Sequence, residues 1–338
     1  MPISEMSIRP SGTWRSHVPT ASESSIRIPE EIVDACLEFV SCEPETFESG
    51  EKVLRWTLAL KQRMTGTPGF ICFQVREAGY TDNDLRKIYS ALARSIGDLN
   101  NRYGEFFDVK DRGLDHTKQA IPVSKTRAST GFHTDSSAAN YCPEIVGLLC
   151  LQPATAGGES LLANAVNLYS WLAENHPASL KALTRPIKRD VITPGTRQNL
   201  AAINANAFPV FTRSHSTVHF RYMRYWIETA YRKLEQPLPK GLRKAMNLID
   251  GYLIEPANTY SRMLVRGEML FVNNHQLCHS RTAFTDSPDP RRKRVLVRTW
   301  IDRVHPAPAL SDLSCSFAHE CSDKNPVLDS AFDPALAS

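Results

Sequence analysis

Residues 271–302 read FVNNHQLCHSRTAFTDSPDPRRKRVLVRTWID, and the two ends of that stretch decide the fold. The segments MLFVNN (269–274) and RVLVRTWID (294–302) are rich in branched and aromatic residues, and both read as strands. Side chains alternate along an extended RVLVRTWI, so Arg294, Leu296, Arg298 and Trp300 share one face while Val295, Val297, Thr299 and Ile301 take the other. Two guanidinium groups on one face of an apolar strand are costly in a core unless anions meet them. The plainer alternative is a solvated edge strand with surface arginines. A bound dicarboxylate would supply the partners, because the guanidinium fork matches a carboxylate bidentately.

Working outward, the next informative segment is GFHTDSS (131–137). His133 and Asp135 are two apart, so on an extended segment both side chains leave the same face, with Cα atoms roughly 6.6 Å apart. One imidazole and one carboxylate bind a metal weakly. A second histidine would complete a set of two His and one carboxylate that leaves three positions open on Fe(II). HxD by itself is a weak signal.

The chain around these segments is mixed. EEIVDACLEFV (30–40), EKVLRWTLALKQRM (51–64) and DNDLRKIYSALARSIG (82–97) carry apolar residues three and four apart and predict amphipathic helices. GFICFQV (69–75) and IVGLLCLQPA (145–154) predict strands, the second ending at the turn-forming AGGES (156–160). Residues 163–184 and 218–249 return to helical spacing, the latter opening with VHFRYMRYWIETAYRKL. Residues 1–25, rich in Ser, Thr and Pro, are expected to form a flexible arm, 26–305 a single domain, and 306–338 a tail that wraps the surface or is disordered.

Bulk composition narrows the function classes. The net charge of +4 is small against 40 basic and 36 acidic residues, so neither a nucleic-acid nor a membrane surface is indicated. No apolar run approaches the roughly 18 residues of a membrane span, and the N-terminus lacks the apolar core of a secretory signal, which predicts a cytoplasmic protein. The eight cysteines show no CxxC pair and are expected to be reduced.

Taken in order, HTD (133–135), the GGES turn (157–160), NNHQLCHSRTAF (273–284) and RRKRVLVRTW (291–300) resemble the taurine/2,4-D dioxygenase family of Fe(II)/2-oxoglutarate enzymes, related to clavaminate synthase, over roughly residues 65–303. The resemblance implies an α+β protein with a double-stranded β-helix (jelly roll) core flanked by helices. It also implies iron, 2-oxoglutarate and O2 as the reacting set, with succinate and CO2 as coproducts. Carried across residue by residue, His133, Asp135 and His279 fall on the metal ligands. Ser160 and Arg294 fall on the groups that hold the distal carboxylate of 2-oxoglutarate. Arg298 falls where relatives meet the substrate anion or the chelating end, and Arg292 is a reserve for the cosubstrate role. The expected reaction is hydroxylation, or desaturation or cyclisation, of a small anionic molecule such as an amino acid, with a taurine-like sulfonate second. Dimers are common in that family.

Other readings use the same residues. His275 and His279, like His215 and His219, are four apart and would share a helical face as zinc ligands, but no HExxH accompanies them and strand-then-loop geometry predicts one ligand only. The basic run 291–294 could meet nucleic acid, yet it lies between a Pro-rich turn and an apolar strand. Arg221 and Arg224 either reach a substrate anion or sit on a helix facing solvent, and Asp108 and Arg112 read as loop residues in a region that the resemblance places near the active-site mouth. A non-catalytic jelly-roll protein is the alternative class; it would lack a ligand or the cosubstrate arginine, and this chain has candidates for all. A halogenase would lack the carboxylate that Asp135 provides.

Overall fold

A computed structural model describes residues 12–14, 17–39, 47–76, 79–102, 104–113, 126–139, 141–190, 199–214 and 217–304. Two sheets face each other. The larger runs in the order Ser25–Arg27, Phe70–Gln74, Glu268–Asn273, Ile145–Gln152, Val295–Val304 and Gly97–Leu99, with Phe107–Val109 also paired to Val295–Val304. The smaller runs Thr259–Arg262, Ser160–Asn164, Leu277–Arg281, Thr130–His133, all antiparallel. This is the jelly-roll arrangement expected from the resemblance.

Strand alternation sorts the core into layers. Phe70, Cys72, Cys150, Leu270, Val272 and Leu296 from the larger sheet meet Leu162, Tyr260 and Leu277 from the smaller one in a buried cluster between the sheets. The opposite face of the larger sheet, through Ile71, Phe73, Leu149, Phe271, Val297 and Ile301, packs on the helices Glu30–Glu38, Phe47–Thr65 and Asp82–Ile96. Ala163 and Cys278 turn away from the smaller sheet toward the helices Ala165–Asn175, Pro177–Leu183, Arg224–Lys233 and Lys240–Ile254. Strand Val295–Val304 thus divides its faces as its sequence predicts, with Val297 and Ile301 against helices and Leu296 inside.

Three local readings change. Residues Thr217–Phe220 form a strand paired with Phe211–Ser214, and the helix begins only at Arg224. The stretch expected to be helical over 163–184 opens as the end of strand Ser160–Asn164 and breaks at His176, before Pro177, which starts a new helix. Within the expected N-terminal arm, Trp14 is buried, its indole N–H donating to the Pro68 carbonyl at 2.8 Å, and Ser25–Arg27 pairs with the larger sheet. The expected tail from 306 lies outside the described residues, as does His215.

Candidate metal centre

Antiparallel pairing brings the two histidines together. His133 ends the strand Thr130–His133, and its Cα partner on Leu277–Arg281 is His279. Their rings stand 4.4 Å apart between centroids. The strand stops at His133, and Asp135 follows on a turn held by other elements. Its backbone N–H donates to Asn274 Oδ1 at 2.8 Å, and its carbonyl accepts from Asn274 Nδ2 at 3.2 Å. One residue earlier, the Thr134 amide donates to the Tyr222 carbonyl at 2.9 Å.

The ligand atoms of His133, Asp135 and His279 all lie within 4.8 Å of one another. Asp135 Oδ1 lies 3.7 Å from His133 Nε2 and 3.5 Å from His279 Nε2. Its Oδ2 accepts from the Trp300 indole at 2.7 Å and lies 3.4 Å from Arg298 Nη1. The two carboxylate oxygens therefore have different tasks. Nδ1 of His133 lies 2.8 Å from the Gly131 carbonyl, which fixes the proton there and leaves Nε2 as a lone-pair donor. His279 has no such anchor: its Nδ1 is buried without a partner.

Electrostatics match a cation site. Burial, then the neighbouring His279, lowers the His133 pKa to about 4, so the imidazole is neutral at physiological pH. Burial alone would raise Asp135, but Arg298 and the two histidines hold it well below the usual carboxylate range. A neutral His133 imidazole, the His279 imidazole and one ionised carboxylate, with their donor atoms facing one another, fit a divalent first-row metal such as iron.

Beyond this centre, Arg294 and Ser160 are both buried in the interior. The Arg294 guanidinium packs over the Phe284 ring, 5.0 Å from its centroid, and against the turn at Gly158, where an added Cβ would stand 3.2 Å from Nε. Its Nη1 is buried with no partner, and burial lowers its pKa. A carboxylate at that nitrogen would satisfy both the donor and the charge. Arg298 stacks near Phe107 and Trp300, and the three line one small cavity with Asn100.

The remaining sequence candidates separate. Arg292 is exposed in the turn Pro290–Arg292, away from the interior face that Arg294 occupies. His275 stacks on His219, with ring centroids 4.7 Å apart, and its Nε2 lies 3.4 Å from the Cys142 carbonyl, so it is no ligand here. Arg224 is neutralised by Glu228 and Asp250, each at 2.8 Å. Arg221 pairs with no carboxylate among the described residues; it donates to the Ala139 and Tyr141 carbonyls, on the loop that follows Asp135. Asp108 pairs with Arg86 at 2.8 Å. Sequence reasoning missed Asn274 and gave Trp300 no task, although Trp300 shares a strand face with Arg298.

Comparison with known proteins places this arrangement. The model of the family "Taurine catabolism dioxygenase TauD, TfdA family" matches residues 51–300. FR-33289 synthase of Streptomyces rubellomurinus (strain ATCC 31215) is 28% identical over 201 residues, covering 57% of this chain and 56% of that protein, little more than half its length. A uridine-5'-phosphate dioxygenase of an Amycolatopsis species is 25% identical over 241 residues, covering 67% of this chain and 83% of that one. Among solved structures, asparagine oxygenase in complex with Fe(II), 2S,3S-3-hydroxyasparagine and succinate shares the fold at TM-score 0.59 and 17% identity, over 82% of this chain and 93% of that one. The non-heme iron oxygenase OrfP in complex with Fe and alpha-ketoglutaric acid does so at 0.57 and 15%, with the same coverage.

Proposed function

We propose that this chain, which belongs to the taurine catabolism dioxygenase TauD, TfdA family, is an Fe(II)- and 2-oxoglutarate-dependent oxidoreductase that hydroxylates a C–H bond of a small anionic molecule, an amino acid foremost. In this reading His133, Asp135 and His279 hold Fe(II), Ser160 and Arg294 receive the distal carboxylate of 2-oxoglutarate, and Arg298 faces the substrate. Iron with 2-oxoglutarate and O2 supplies an oxidative decarboxylation to succinate and CO2 that drives oxygen insertion into the substrate.

The protein's own residues set the stage for that chemistry. The Gly131 carbonyl orients His133, and Trp300 with Arg298 holds one oxygen of Asp135 so that the other faces the metal position. A metal held by His133, Asp135 and His279 would keep coordination positions open for cosubstrate and O2. Arg221, which meets no carboxylate among the described residues, and Arg298, whose one carboxylate partner there is Asp135, support an anionic substrate, whereas Arg224 is already satisfied by Glu228 and Asp250. The relatives that act on uridine-5'-phosphate and asparagine bracket the candidates between nucleotides and amino acids.

The observation that carries the reading is the convergence of two histidine Nε2 atoms on one oxygen of a carboxylate whose other oxygen is tied down. Its test is anaerobic addition of Fe(II) and 2-oxoglutarate, following the visible metal-to-ligand charge-transfer band. The band should vanish in His133→Ala and demand far more 2-oxoglutarate in Arg294→Ala. Succinate release is then screened with amino acids, nucleotides and sulfonates. Absence of the band, with iron binding indifferent to His133→Ala, would return the chain to the non-catalytic class.

A further inference from the structure

Arg281 is a buried cation to which the proposed chemistry gives no task. It lies two residues past His279 on the same strand and the same face, and its Cα partner on the neighbouring strand is Ser160. Its Nη2 donates to the Thr126 carbonyl at 3.0 Å and to that of Ala128, while Nε is buried without a partner. The guanidinium stands 4.8 Å from the Phe284 ring centroid, and that of Arg294 stands 5.0 Å from the same centroid, so about 10 Å at most separates them. Arg281 and Arg294 are 8% and 4% exposed, and neither forms an ion pair among the described residues.

Two desolvated guanidinium groups over one aromatic ring, each with an unused buried nitrogen, favour a bound anion, because the nearby carboxylates are engaged elsewhere, Asp286 by the Arg294 backbone N–H at 2.7 Å and Asp111 by Arg127 at 3.2 Å. We propose that Arg281 is the second cation of the cosubstrate pocket, a positioning residue that makes the pocket selective for an oxo acid with a distal carboxylate. The inference rests on the reading that 2-oxoglutarate extends from the metal toward Arg294 and Ser160. Through its bonds to the Thr126 and Ala128 carbonyls, Arg281 also braces the segment entering the His133 strand. A purely structural brace and an electrostatic selector differ in one respect. The brace affects every ligand at the metal, whereas the selector affects only ligands that place a negative charge at the pocket's end.

The experiment therefore compares two ligands with the same chelating end. Anaerobic Fe(II)-loaded protein is titrated with 2-oxoglutarate and separately with 2-oxobutyrate, which has no distal carboxylate, reading the charge-transfer band. For Arg281→Gln the affinity for 2-oxoglutarate should fall about tenfold, the scale of one charge acting over this distance in partly desolvated protein, with that for 2-oxobutyrate unchanged. Arg281→Lys should keep most of the preference. Arg281→Met, which retains an apolar stem against Phe284, is read in the same way should the Gln variant not fold. An equal loss for both ligands, or no loss for either, overturns the proposal. Arg294→Gln is the control: if it too fails to discriminate the ligands, the placement of the cosubstrate is wrong, and if it discriminates while the Arg281 variants do not, only the role of Arg281 falls.

Discussion

The Trp300 indole donates to Oδ2 of Asp135 at 2.7 Å, leaving Oδ1 as the carboxylate oxygen that faces both histidines, 3.7 Å from His133 Nε2 and 3.5 Å from His279 Nε2. A carboxylate so held offers one oxygen without having to be ordered on metal arrival. Trp300→Phe keeps the ring and removes the donor. Fe(II) affinity, measured by anaerobic titration, should fall about tenfold, within the range typical of outer-shell partners of metal ligands, while the circular dichroism spectrum stays unchanged. Undiminished affinity would mean that Asp135 is oriented by its backbone and Arg298 without the indole.

Asn274 carries that backbone. It is fully buried and binds both the N–H and the C=O of Asp135, and it donates further to the Pro143 carbonyl at 3.1 Å. Asn274→Ala strands several buried polar groups, at a cost of about 1–3 kcal/mol. The denaturation midpoint of the metal-free protein should drop accordingly, with an unchanged slope on denaturant.

Acid should destabilise the metal-free protein through His133. Burial, then His279, depresses its pKa from 6.5 to about 4 in the fold. Between those values the unfolded chain binds more protons than the native one, so stability rises with pH across this window. It is complete above about 6.5 and is lost as pH falls toward 4. Denaturant midpoints measured from pH 7 to 4 should show this fall, and His133→Phe should flatten it. An equal slope in both proteins would assign the titration elsewhere.

The turn before Ser160 predicts a separable effect on the cosubstrate. Gly158 has φ +84°, where an L side chain is strained, and a Cβ there would crowd Arg294 Nε at 3.2 Å. Gly158→Ala should cost about 1 kcal/mol of stability and weaken 2-oxoglutarate binding several-fold by displacing the guanidinium. Fe(II) affinity should stay as it was, because the atoms that a Cβ at Gly158 would meet belong to Arg294, Phe284 and Ala154 and to no metal ligand. Parallel titrations of both ligands decide it.

No helix among the described residues is long and apolar enough to cross a bilayer. Arg224→Ala should leave succinate release intact, since its partners are Glu228 and Asp250, whereas Arg221→Gln should lower it by loosening the loop after Asp135. Steady-state succinate measurements with a found substrate distinguish the two.

The sequence by itself determined the features that follow from chain periodicity. Alternation along 294–301 put Arg294, Arg298 and Trp300 on one face, helical spacing drew the layer formed by Glu30–Glu38 and Asp82–Ile96, and the two-residue step placed His133 and Asp135 near each other. The ordered motifs, through their resemblance to a family, added the jelly roll and named His279, Ser160 and Arg294. Only the tertiary structure decided which long-range neighbours meet. VHF (218–220) fits a helix or a strand by pattern, and pairing with Phe211–Ser214 makes it a strand. Arg221 and Arg224 are alike as text, yet one meets carboxylates and the other backbone carbonyls. Asn274 and Arg281 acquire their tasks from cross-strand register, which sets Arg281 opposite Ser160 and His279 opposite His133. Periodicity fixes which way a side chain leaves its own segment, but what it finds there depends on the partner segment that packing and hydrogen bonding bring alongside.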